Sequence, residues 1–413
     1  MDKYWWKPPF YLFRLKENHS GSFMHYASVT NNLKNLGSEK WAVHLKAREL
    51  IAAGSEVIEL TIGEPDMPPE DDLIDECIRS MQAGRTKYSN GRGESNLLLK
   101  LKQKYVKVSN IPITEENILC FPGTQTALYA TMRSLVEQGD EVIVGDPLYA
   151  TYEGIIRASG ATMVPVPLRR EYNFILQAHD LEKAITPRTK VVLLNSPHNP
   201  TGSVMSKQDF LNLAKLFVQN DLWLVSDEVY EDLIFEGEFY SPLSNEKLAP
   251  RTVVVSSISK SHAAPGFRSG WAVGPREFCI KTLPLSETML FGSQPFIADM
   301  TALALSRPSK VSIKMKIAYE RRAKLICQNL QSVEHINPLM PNAGMFILID
   351  IEKTNLTCSN FAWKLLNEQL VAVMPGDSFG HQARGFIRMS LTVPDELLLK
   401  ARNRISLFIK NLK

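Results

Sequence analysis

KVVLLNSPHNPTG (residues 190–202), LWLVSDEVY (222–230) and TVVVSSISK (252–260) are built alike: a short apolar or β-branched run ends abruptly in polar residues. EVIVGDPLY (141–149) repeats the arrangement. Strands that are apolar along their whole length, not at alternate positions, are buried on both faces. The intervening stretches, SKQDFLNLAKLFVQN (206–220) among them, have helical spacing. Alternating strand and helix predict a doubly wound α/β layer around a mostly parallel sheet. In such sheets ligands bind beyond the carboxyl ends of the strands. Four of those ends carry the unusual polar residues of this chain, which argues for a sizeable polar ligand.

Upstream, the sequence reads as one helix from Asn31 to a stop at Gly54. VIELTIGEPDMPPED (57–71) follows as a short strand entering a turn. TALYATMRSLVEQG (126–139) reads as a helix with Leu128, Met132 and Leu135 on one face, ended by Gly139. After Ser306 the pattern becomes α+β: a long charged helix, MFILIDI (345–351), another helix, GFIRMSL (385–391) and a terminal helix. The expected division is an N-terminal extension over 1–30, a small domain from 31–60 and 300–413, and a large domain from 61–299. The first 23 residues are aromatic and partly basic, but Pro8 and Pro9 break their only apolar stretch. They fit an extension packed on the body or an upstream start with Met24 as the functional one, and not a secretory signal.

A chain of 413 residues is long enough for two cores, and 44% apolar with 22% charged residues is an ordinary globular composition. A net charge of +3, with Lys and Arg scattered, points away from nucleic acid and anionic membranes as partners. The five cysteines lie far apart with no metal-ligand spacing, so no metal is expected and reduced thiols in a cytoplasmic setting are. No apolar run approaches the roughly 18 residues that span a bilayer.

NPTG (199–202), SDEVY (226–230) and SISKSHAAPGFRSG (257–270), in this order, resemble the class I/II aminotransferases, enzymes of pyridoxal 5′-phosphate (PLP) fold type I, over about residue 31 to the C-terminus. The resemblance implies a large domain with a mostly parallel seven-stranded sheet sandwiched by helices, plus a smaller α+β domain. It also implies amino acid and 2-oxo acid substrates, 2-oxoglutarate as acceptor, and a homodimer with a shared site.

Residue by residue, it makes Lys260 the lysine that holds PLP as a Schiff base, a role needing an amine made neutral by burial or neighbouring cations. Arg268 and Ser257 would bind the phosphate, with Gly123, Thr124 and Gln125 opening a helix whose amides favour an anion. Tyr88, in TKYSNGRGE (86–94), matches the tyrosine lent across subunits to that phosphate. Asp227 would keep the pyridine nitrogen protonated. Asn199 and Tyr230 would bond the ring's phenolic oxygen, and Tyr149 would stack on its face. Arg388 would grip the substrate α-carboxylate as a bidentate partner, helped by the Gly63 amide and by Asn199 beside it. His198 stands where the family often has asparagine and reads as a loop residue satisfying local hydrogen bonds. The same constellation serves a PLP lyase, the second reading. A non-enzymatic regulator is third, since the N-terminal extension is too short for a DNA-binding domain.

Overall fold

The computed structural model describes residues 24–34, 36 and 40–412, so the reading of the first 23 residues lies outside the described residues. Its centre is a seven-stranded sheet in the order Ile118–Phe121, Gly270–Val273, Thr252–Ser257, Trp223–Asp227, Thr189–Asn195, Glu141–Asp146, Thr162–Pro167. Gly270–Val273 runs antiparallel to both neighbours and every other pairing is parallel. The expected mostly parallel seven-stranded layer is what forms.

Adjacent residues of one strand enter different hydrophobic clusters, the signature of a sheet covered on both faces. Val142, Val144, Val191, Leu193 and Val225 pack with Leu128 and Met132 of the helix Thr124–Leu135. Ile143, Val192, Leu194 and Leu224 pack with Phe210, Leu213 and Phe217 of the helix Lys207–Gln219. At the far end of the sheet Val254, Trp271 and Val273 meet Leu97 and Leu101 of the helix Ser95–Tyr105. Each fully buried aliphatic side chain here contributes about 1.5–3 kcal/mol.

The last third of the chain forms a second, antiparallel sheet, in the order Met374–Pro375, Phe386–Ser390, Phe346–Asp350, Asn337–Leu339. Ile58–Glu59 pairs in parallel with Val371–Ala372. Val43, Ala47 and Ile58 share one hydrophobic cluster with Met315, Phe361, Leu365 and Phe408, so the segment 43–58 packs on the last third of the chain.

Two element boundaries differ from expectation. The helix read from Asn31 to Gly54 is two, Ser28–Asn32 and Ala42–Ala52, and the sequence between them holds Gly37 and Ser38, both weaker helix formers than alanine. The helix opened at Thr124 ends at Leu135, not at Gly139. Val136 is already extended and buried in the core, and Gly139 serves the turn into Glu141–Asp146.

Candidate active site

Four carboxyl ends of the large sheet open onto one cavity of about 300 Å³. Its walls bring together Gly63, Thr124, Gln125, Tyr149, Asn199, Asp227, Tyr230, Ser257, Lys260, Arg268 and Arg388. These residues are spread along more than three hundred positions of the sequence, and the fold draws them to one place.

Lys260 sits in the short helix Ile258–Ser261, started by Ser257, whose side-chain oxygen accepts from the Ser259 amide. Its Nζ donates to the Gly63 carbonyl at 2.7 Å. Burial pushes the amine down to about 8, with Arg388 and Arg268 pushing the same way and Glu64 opposing. Such a lysine has a substantial neutral, nucleophilic fraction near neutral pH.

Asp227 ends the strand Trp223–Asp227 and is buried. Burial pushes it up to about 6, while the Tyr152 hydroxyl and the Val229 amide, both donating to its carboxylate, pull it down. A cation is the partner this carboxylate lacks.

Arg388 stands on the central strand Phe386–Ser390, opposite Leu348 and Met374. It is 2% exposed, so almost nothing of the guanidinium reaches bulk water. Nη1 donates to Asn199 Oδ1 at 2.9 Å and Nη2 to the Thr61 carbonyl at 2.6 Å, while Nε has no partner. Phe346 and Phe379 flank it, with ring centres 4.0 and 4.4 Å from Cζ. No carboxylate pairs with it among the described residues, and burial pushes it down to about 10. A buried guanidinium without a counter-ion is costly, and a carboxylate ligand is the group that would complete it. The Asn199 amide also donates to the Tyr230 hydroxyl, at 3.3 Å. Burial raises both Tyr230 and Tyr149, so both phenols stay protonated.

The helix Thr124–Leu135 begins at Gly123, whose φ of 86° favours glycine. A β-carbon there would lie 2.2 Å from Arg268 Nη2, so the missing side chain is what lets the guanidinium approach. The Thr124 hydroxyl is buried without a partner. A helix N-terminus, an arginine and an unsatisfied hydroxyl converging beside Ser257 fit a phosphate group.

Tyr88 is not part of this cavity. It is 85% exposed and packs edge-on against Phe291 at 4.9 Å. His198 satisfies its loop, as read: Nδ1 meets Thr201 Oγ1 at 2.8 Å, and burial pushes the ring down to about 4, so it is neutral. The sequence reading missed Tyr152, Thr61 and Phe346. Tyr152 carried a signal, lying in the same DPLYATY stretch as Tyr149. Thr61 acts through its carbonyl, which no side-chain motif can announce.

Among the described residues no cluster of metal-ligating side chains occurs and no helix is long and apolar enough to cross a membrane. The five cysteines are free; Cys77, Cys120, Cys279 and Cys358 are buried and Cys327 half-buried.

Comparison with known proteins agrees with this geometry. The family model described as aminotransferase class I and II matches residues 55–405. The arginine–pyruvate transaminase AruH of Pseudomonas aeruginosa is 39% identical over 93% of this chain and 98% of its own. An aspartate aminotransferase of Bacillus sp. (strain YM-2) is 31% identical over 92% and 99%. Among solved structures, a single mutant of Thermus thermophilus aspartate aminotransferase superposes with a TM-score of 0.88 at 31% identity, covering 93% of this chain and all of that one.

Proposed function

The chain belongs to the class I and II aminotransferases and is a PLP-dependent enzyme, and on that footing we propose that it moves an amino group from an L-amino acid to a 2-oxo acid with Lys260 as its reactive amine. The observation that carries this is the placement of a buried, readily neutral amine, a buried carboxylate and an unpaired buried guanidinium around one cavity.

PLP, when bound, supplies the electron sink for the charge left as the substrate α-carbon loses its proton. Arg388 grips the α-carboxylate with its free donors, Asn199 fixing the guanidinium plane. Lys260 Nζ takes the α-proton and returns it one position away, a positioned transfer worth about 10²–10⁴-fold. Asp227 holds the proton at the pyridine nitrogen, and Tyr230 and Asn199 bond the phenolic oxygen. Tyr149 covers the ring. Arg268, Ser257, the Thr124 hydroxyl and the amides after Gly123 take the phosphate. Tyr88 serves the site of a second copy in a homodimer, which its exposure beside Phe291 supports.

Residues 61–299 form the cofactor-binding unit in this reading, and 31–60 with 300–413 the other, a division supported by the cluster joining Val43 and Ala47 to Phe361 and Phe408. The free cysteines support a reducing, cytoplasmic setting. For the acceptor, 2-oxoglutarate is the family-level choice, and the relative named an arginine–pyruvate transaminase adds pyruvate.

Borohydride reduction followed by peptide mapping tests the assignment. A phosphopyridoxyl group on Lys260 is expected; a label on another lysine, or on none, overturns it. Lys260→Ala is expected to stay folded and lose turnover.

A further inference from the structure

Thr61 is fully buried, and its carbonyl accepts from Arg388 Nη2 at 2.6 Å. Two residues on, the Gly63 carbonyl accepts from Lys260 Nζ at 2.7 Å. One three-residue segment therefore presents an acceptor to each of the two cations that the proposed reaction uses. A β-carbon on Gly63 would lie 2.1 Å from Phe346 Cζ, so the segment also presses on a ring that flanks Arg388.

Sheet pairing does not aim these two carbonyls. Leu60 is held on both sides, its amide donating to the Ala372 carbonyl at 2.8 Å and its carbonyl accepting from the Ser390 amide at 2.9 Å. Residues 61–63 make no backbone-to-backbone hydrogen bond among the described residues. What holds Thr61 is its side chain. The hydroxyl donates to Glu59 Oε1 at 3.1 Å, and His44 Nδ1 lies 2.9 Å from that hydroxyl and 2.7 Å from the same carboxylate oxygen. Arg48 reaches Glu59 Oε2 at 3.4 Å. Burial alone would raise the Glu59 carboxyl, but His44, Arg48 and Thr61 outweigh it and hold it below its ordinary value, so it stays an ionised acceptor. The helix Ala42–Ala52, which carries His44 and Arg48, thus fixes the side chain of a residue whose backbone touches Arg388. Threonine is stiff at χ1, so a hydroxyl bonded in this way also restrains the backbone that carries it.

We propose that Thr61 is a positioning residue: its hydroxyl, locked by Glu59 and His44, sets the carbonyl that aims the Arg388 guanidinium at the substrate carboxylate. This rests on the reading of Arg388 as the carboxylate-binding residue.

The test uses the holoenzyme with pyruvate as acceptor and, of L-arginine, L-alanine and L-aspartate, the donor that the parent turns over fastest. Thr61→Val keeps the shape and loses the hydroxyl. KM is expected to rise by roughly three- to tenfold for donor and acceptor alike, the size of one hydrogen bond, with kcat much less affected. Thr61→Ser keeps the hydroxyl and should restore most of the loss, which a role in packing alone would not produce. Glu59→Met removes the acceptor and should raise KM in the same direction. If Glu59 acts through Thr61, the two effects do not multiply in the double variant. A Thr61→Val variant with the parent KM overturns the proposal, as does a Thr61→Ser variant equally impaired, or a double variant whose losses multiply. Arg388→Lys with the parent KM for both substrates fails differently, by removing the carboxylate reading on which the proposal stands.

Discussion

The hydroxyl of Tyr152 donates to Oδ2 of Asp227 across 2.7 Å, and both side chains are buried. With the Val229 amide on Oδ1, it is what holds a charge on a carboxylate that burial pushes up to about 6. Tyr152→Phe removes that donor and leaves a buried oxygen unsatisfied. Asp227 then rises further and, in the role proposed for it, would hold the ring nitrogen's proton less well. Hydrogen bonds to charged groups are worth about 1.5–3 kcal/mol, so kcat is expected to fall about tenfold or more with the fold intact. A Tyr152→Phe variant turning over at the parent rate would show that the ring's own charge suffices to hold Asp227.

Arg388→Lys keeps the charge and loses the fork. A single ammonium cannot reach Asn199, the Thr61 carbonyl and a carboxylate in one plane, nor stack flat between Phe346 and Phe379. Loss of one charge-assisted bond predicts a fall in kcat/KM of roughly 10- to 150-fold for donor and acceptor alike. Steady-state rates with both substrates varied check this, and a loss confined to one of them would contradict a shared carboxylate site.

The polar strand ends show why so much of this site was legible. Asp227, Ser257 and Lys260 follow directly on buried strands, so a one-dimensional pattern already places them on one edge of the sheet. Arg388 was less accessible to that argument, because its strand is in another sheet and only tertiary packing lays it against Asn199. Phe346 and Phe379 carry no side-chain motif, and they flank the guanidinium only because the strand Phe346–Asp350 pairs with Phe386–Ser390 and the turn Gly376–Phe379 packs beside it. Helix ends were the weakest reading. Leu135 stops its helix because Val136 turns into the core, a tertiary reason that outweighs the glycine signal at 139.

The Lys260 amine carries a pH prediction. Its folded value of about 8 lies below the ordinary 10.5, so the folded chain releases this proton first. Capture of PLP by the cofactor-free protein needs the neutral amine, so its rate should rise with pH and level off above about 8. Below that value it should fall about tenfold per pH unit. The same shift makes Lys260 a destabilising group below about 8, relieved as pH rises from there towards 10.5. Stopped-flow absorbance from pH 6.5 to 9.5 reads the midpoint, and one near 10.5 would mean that the amine is solvated.

Gly380 links the large sheet to the loop that covers Arg388. Asp146, at the end of Glu141–Asp146, accepts the His381 and Gln382 amides at 3.0 Å each, and the Leu148 amide donates to the Phe379 carbonyl at 2.7 Å. Gly380 lies between at φ 124°, and a β-carbon there would sit 2.1 Å from Asp146 Oδ1. Gly380→Ala must therefore displace either the carboxylate or the loop, at about 1–3 kcal/mol for the strained backbone. Because Phe379 covers one face of Arg388, the displacement should appear as weaker carboxylate binding: KM raised several-fold for donor and acceptor, with kcat much less affected. Asp146→Asn should act in the same direction more mildly, since its amide oxygen still accepts one of the two backbone bonds. Should both variants lower kcat and leave KM alone, the loop serves the fold and not the guanidinium.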